Sequence, residues 1–235
     1  FETVIADAGG QIALSVSGTS GYGLIGTLEL TALPPSPVIT SALTASGTGG
    51  FPFSYQIAAS NTPASYGASG LPGGLSVNSA SGLISGTLAQ SGTFSVLLSA
   101  ANAGGSGTAT LTLSIQSPFD AWKNAHFTSG ELSDPQITSE TACPAGDGIS
   151  NLIKYALNLA PKQNSRNGLP VTAPLTTGSG NYLSLTYTRK RSAIDLDYIV
   201  EVSGDLQTWS SGDGFTAPVS ATDNPDGTTQ SVTVQ

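Results

Sequence analysis

Apolar and polar residues alternate along Phe94, Val96, Leu98 and Ala100, with Thr93, Ser95, Leu97 and Ser99 between them. Leu111, Leu113 and Ile115 repeat the pattern against Thr110, Thr112 and Ser114. A period of two marks half-buried strands, and the Gly-rich turn after Asn102 predicts that these two close a hairpin. Between Tyr55 and Ile115 similar short segments break at Gly, Pro, Asn and Ser. Strands are expected at 38–45, 54–59, 75–77, 83–85, 93–101 and 108–115, together a sandwich. Further segments at 1–5, 11–16 and 27–33 read as the last strands of a preceding β module. Pro34, Pro35 and Pro37 then mark a boundary, since proline stiffens the chain and removes ladder donors.

Past Ser117 the period changes. Ser117 suits an N-cap and Pro118 the first helical position, with Phe119, Trp122 and His126 at helical spacing. A second helix is expected from Ile149 to Leu159, with an apolar stripe of Ile149, Leu152, Ile153, Ala156 and Leu157, ended by Pro161. Near Val171 the period returns to two: Leu183, Leu185 and Tyr187 share one face, then Leu196, Tyr198, Val200 and Val202. The fold class is therefore mainly β, a sandwich with a short helical connector and partial β modules at both ends. Its divisions are 1–34, 35–117, 118–170 and an incomplete C-terminal module at 171–235.

Charge narrows the choice of partners. Only 9% of residues are charged, the net charge is -8, and every Lys and Arg lies at Lys123 or later. Nothing basic enough for nucleic acid is present, and no apolar run suits membrane insertion. The lone Cys143 has no internal partner for a disulfide. Composition rich in Ser, Thr and Gly suits a secreted or cell-surface protein. With no Met and strand-like segments at both termini, the chain reads as a fragment of a longer polypeptide.

The motifs Leu71-Pro72-Gly73-Gly74-Leu75, Gly82-Leu83-Ile84-Ser85-Gly86-Thr87, Gly92-Thr93-Phe94 and Ala100-Ala101-Asn102-Ala103-Gly104 resemble those of the "putative Ig" module, a cadherin-like, dystroglycan-type sandwich. Leu88 stands where that family often has Pro. The resemblance implies a spacer or adhesion module. Residues 1–33 are similar to the final strands of jelly-roll modules, and 195–209 to a β module found downstream in large secreted bacterial proteins.

The stretch from Cys143 to Pro161 resembles an Asp-rich, calcium-type loop followed by a helix. Calcium requires several oxygen ligands and a carboxylate at the twelfth loop position. Here Cys143, Ala145 and Lys154 stand at positions one, three and twelve, leaving only Asp147 and Asn151 as metal candidates. No cofactor is expected. Asp195, Asp197, Glu201 and Asp205 read as a solvated strand face and not as a catalytic pair. Tyr187 and Tyr198 fall on the apolar face, so Tyr182 and Trp209 are the candidates for stacking on a sugar. His126 lacks the companions of a metal site or a hydrolytic triad. Arg189-Lys190-Arg191 reads as a short solvated loop run flanked by strands, with a grip on an acidic glycan as the lesser alternative.

The expected role is non-catalytic: a structural or adhesion spacer whose partners are neighbouring modules of the same polypeptide. Alternatives are a glycan-binding accessory region of a polysaccharide-degrading enzyme, and a filament subunit that donates residues 1–33 to another copy.

Overall fold

The computed structural model describes residues 33–178 and 180–235. Seven strands come first: β1 (Thr44–Thr48), β2 (Pro52–Gln56), β3 (Ser65–Ser69), β4 (Leu75–Val77), β5 (Leu83–Thr87), β6 (Gly92–Asn102) and β7 (Gly105–Gln116). They form two sheets, ordered β1-β7-β6-β3 and β2-β5-β4. β1 joins β7 in parallel, and the other pairs are antiparallel. The alternation in β6 and β7 does what the period requires. Val96, Leu98, Leu111 and Leu113 are fully buried, while Leu97 is 47% exposed. Ile57, Ile84 and Leu88 complete the core between the sheets. Each such side chain contributes about 1.5–3 kcal/mol by leaving water.

Asn102 fixes the hairpin. Its Oδ1 accepts from Gly104 N–H at 2.8 Å, while its Nδ2 donates to the carbonyls of Pro35 at 2.9 Å and Asn61 at 2.7 Å. The proline-rich lead-in is thereby laid along the hairpin. A Cβ at Gly107 would fall 1.9 Å from the Pro37 carbonyl oxygen, so only glycine allows this approach. Two strand assignments change. The first strand is Thr44–Thr48 and not 38–45, because the lead-in makes only an isolated bridge, Ile39 to Ala59. β3 was not expected: its sequence SYGAS is too small and polar to show alternation, yet it pairs with β6 from Ser65 to Ser69. The segments expected at 1–5, 11–16 and 27–33 lie, apart from Leu33, outside the described residues.

A connector of short helices follows: α1 (Pro118–His126), α2 (Ser129–Leu132), α3 (Pro135–Thr138) and α4 (Asn151–Ala156). Ser117 caps α1 as expected, its Oγ accepting from Asp120 N–H at 2.9 Å with Pro118 at the first position. Thr128 and Glu131 make a reciprocal capping box on α2. Phe119, Trp122, Phe127 and Tyr155 form the connector's aromatic core, with ring centroids 5.3–6.0 Å apart. α4 departs from expectation. It is shorter than 149–159, and its buried face carries Asn151, Lys154 and Tyr155, whereas Ile153 is 45% exposed. Of the expected stripe, Ile149 and Leu157 are buried and Leu152 packs on the aromatic core. Ile153 is displaced from the buried face by Lys154 and Asn151, whose polar groups are bonded inside the connector.

Four antiparallel strands end the chain, β8 (Val171–Thr177), β9 (Gly180–Lys190), β10 (Pro218–Asp223) and β11 (Thr229–Val234), in the order β10-β11-β9-β8. Tyr187 and Val232 lie opposite each other and pack on Leu157. Tyr198 stacks on Tyr187 at 5.8 Å. Residues 195–201 are not in a sheet, although Leu196, Tyr198 and Val200 still turn inward while Asp197, Ile199 and Glu201 are exposed. Among the described residues no helix is long and apolar enough to cross a membrane.

Candidate functional site

The calcium-type loop holds an ammonium group. Gly146 and Gly148, both at positive φ, turn the chain so that Asp147 points inward. Its Oδ1 accepts from Ile149 N–H at 3.1 Å and from the Cys143 thiol at 3.3 Å. Its Oδ2 accepts from Ser165 N–H at 3.0 Å and pairs with Lys154 Nζ at 2.8 Å. Both side chains of that pair are fully buried. Lys154 Nζ also donates to the carbonyls of Pro161 at 3.1 Å and Gln163 at 2.8 Å. One carboxylate and two carbonyls are oxygen donors of the kind a hard cation takes, and here the cation is a side chain. The bond from Lys154 holds the Asp147 carboxyl far below the usual carboxylate range, against the opposing effect of burial. Asn151, the other metal candidate, donates through Nδ2 to the carbonyls of Ile137 at 2.8 Å and Ser139 at 3.0 Å, clamping α4 to the chain before it. Among the described residues no three His, Cys, Asp or Glu side chains gather as a metal group.

The acids at 195–205 are not a uniform solvated face. The Asp195 carboxylate accepts from the Tyr155 hydroxyl and, at 3.1 Å, from Phe119 N–H, so it ties the segment after β9 to α1 and α4. Its charge and the burial of the ring, burial chiefly, push the Tyr155 hydroxyl's pKa upward. Asp205 instead caps its own turn, and backbone N–H groups of Thr208 and Gln207 lower its pKa to about 2.

Tyr182 is 40% exposed and Trp209 53% exposed, but they do not share a cavity. Tyr182 instead lines a shallow cavity of about 170 Å³ with Phe215, which no sequence pattern had singled out. The basic run is also not a solvated loop. Arg189 and Lys190 end β9, and Arg189 donates to Gln230 Oε1. Lys190 Nζ sits 5.4 Å from the centre of the Tyr155 ring, and Arg191 pairs with Asp223 at 3.1 Å. Lys190 faces a cleft of about 430 Å³ between the first sandwich and α1.

Residues 36–116 match the family model described as Putative Ig domain. This part of the chain is an Ig-like domain. No curated protein matches the chain. Among solved structures, a putative alpha-galactosidase/melibiase from Bacteroides fragilis is 31% identical over 35% of this chain and 18% of its own, with a TM-score of 0.34. A second putative alpha-galactosidase from the same organism is 31% identical over 37% of this chain and 19% of its own, also at 0.34. The chain thus spans under a fifth of the length of either. The Ig-like domain ends where the connector begins: β7 stops at Gln116 and α1 starts at Pro118.

Proposed function

We propose that residues 34–235 serve as a non-catalytic structural spacer of a secreted or cell-surface protein, in which the Ig-like domain and the C-terminal sheet are held as one body. The seam at Gly50 carries this reading. Ile194, from the segment after β9, is seated so closely on Gly50 that a Cβ there would fall 1.5 Å from its Cδ1. Two further ties support it: Asp195 accepts from Phe119 N–H, and Asn124 donates to Gln116 Oε1 at 2.8 Å. Residues 35–117 contain no Asp, Glu, Lys, Arg, His or Cys, so the domain's Ser, Thr and Tyr hydroxyls have no carboxylate, imidazole or amine within it to act as their base. Backbone ¹⁵N relaxation of the whole chain tests the spacer. One shared rotational correlation time for the Ig-like domain and the C-terminal sheet is the expected result. Independent tumbling of the two would overturn the reading, as would turnover of a polysaccharide by the chain.

A further inference from the structure

The cleft between the Ig-like domain and α1 combines features that the spacer reading does not use. Phe51 from the Ig-like domain and Pro118 and Trp122 from α1 give it apolar walls. His126, Lys190 and Ser192 supply polar groups on the same lining. Its volume of about 430 Å³ falls in the range of small-molecule sites, roughly 300–1,000 Å³. The chain carries 15 acids against 7 bases, so cations would be expected to be fully paired. Lys123, Lys154, Lys162 and Arg191 are paired. Arg166, Arg189 and Lys190 have no described carboxylate within ion-pair distance. Arg166 and Arg189 donate instead to the Asp147 carbonyl and Gln230 Oε1, and of the three only Lys190 lines this cleft. Asp195 does act on it, but that carboxylate is already engaged by Tyr155 and Phe119. Burial disfavours the Lys190 charge, and burial followed by the charges of Lys190 and Lys162 disfavours a proton on His126. Lys123, on the same helix as His126, is neutralised by Asp120 at 2.8 Å. A cleft with one cation that has no direct ion-pair partner, a neighbouring imidazole and an aromatic wall suits an anion, and an aromatic wall suits the C–H face of a pyranose.

We propose that this cleft binds an acidic sugar, a uronate unit, with its carboxylate on Lys190 and its ring against Phe51. A bound carboxylate offsets the positive field of Lys190 and raises the pKa of His126. His126 is the only histidine, so its imidazole carbon–proton signals report on the site without assignment ambiguity. The experiment titrates the whole chain with sodium glucuronate, methyl glucoside and sodium acetate, following those signals at several pH values. Glucuronate should shift them saturably and move the His126 titration upward. The neutral glucoside should not, and acetate, which has charge but no ring, should bind about tenfold more weakly. Lys190→Met should weaken glucuronate binding at least about tenfold, while Lys190→Arg should keep most of it. Ala125→Glu, on an exposed position of the same lining, supplies an internal anion and should abolish binding even if Lys190→Met misfolds. Absence of a saturable shift with glucuronate overturns the proposal. So does equal binding of the glucoside, or binding indifferent to both Lys190→Met and Ala125→Glu. None of these outcomes touches the spacer reading, which rests on the seam and is judged by tumbling.

Discussion

Lys154 stands where a calcium-type loop would place its twelfth-position carboxylate, and it changes what the loop needs from solution. Its ammonium brings the positive charge that Asp147 and the Pro161 and Gln163 carbonyls would otherwise take from an ion. Millimolar calcium or a chelator should therefore leave the melting temperature of the chain unchanged, whereas a calcium shift of several degrees would show a bound ion. Lys154→Met removes the charge and strands a buried carboxylate, which should lower the melting temperature by roughly 10 °C. Adding Asp147→Leu should recover much of that loss, because the stranded charge goes too. The pH dependence has a definite sign. Asp147 is held below its unfolded value, so its contribution is complete above about pH 4 and declines as the pH falls below that. Lys154→Met should flatten that acid limb in a pH series of melting curves.

Elements differ in how openly they declare themselves. β6 and β7 are long enough for alternation to fix both the strand and the face. Leu98→Ala should destabilise the chain by about 2–5 kcal/mol, and Leu97→Ala on the opposite face should stay within about 0.5 kcal/mol. Denaturant titration of the two variants reads the register directly, and equal losses would mean that the faces are misassigned. β3 was illegible because Ser65, Gly67 and Ser69 give no contrast between faces; its strand conformation comes from pairing with β6. α4 was legible as a helix but not in its orientation. Lys154 and Asn151 look like surface residues until Asp147 and the carbonyls of Ile137 and Ser139 are in place around them.

Within residues 34–235, Ile194 on Gly50, Asp195 on Phe119 and Asn124 on Gln116 link the Ig-like domain, the helical connector and the segment after β9. Gly50→Ala should destabilise the chain, since a side chain there meets Ile194 and adopts φ +76°. Ile194→Ala should be mild, and in the double variant the clash should vanish while the backbone strain remains. A double-mutant cycle in denaturant measures this coupling. A value near zero would mean that Ile194 is not seated on Gly50. Asp195→Ala should loosen the same seam from the other side, leaving the Tyr155 hydroxyl without its acceptor.

Motifs pointed to the Ig-like module by resemblance, and the sequence by itself determined the mainly β class, the hairpin of β6 and β7, the Ser117 cap and the switch of period at Pro118. These follow from local periodicity, turn chemistry and capping, which act over a few residues. Tertiary structure alone decided the fate of the charged residues. Asp147 and Lys154 are seven positions apart, but their cage is closed by Pro161, Gln163 and Ser165; Asp195 reaches back to Phe119 and Tyr155; Lys190 gains its cleft only when Phe51 and Trp122 face it. Whether a charge is solvated, paired or left open depends on groups brought together from distant parts of the chain, and no period along the sequence records that.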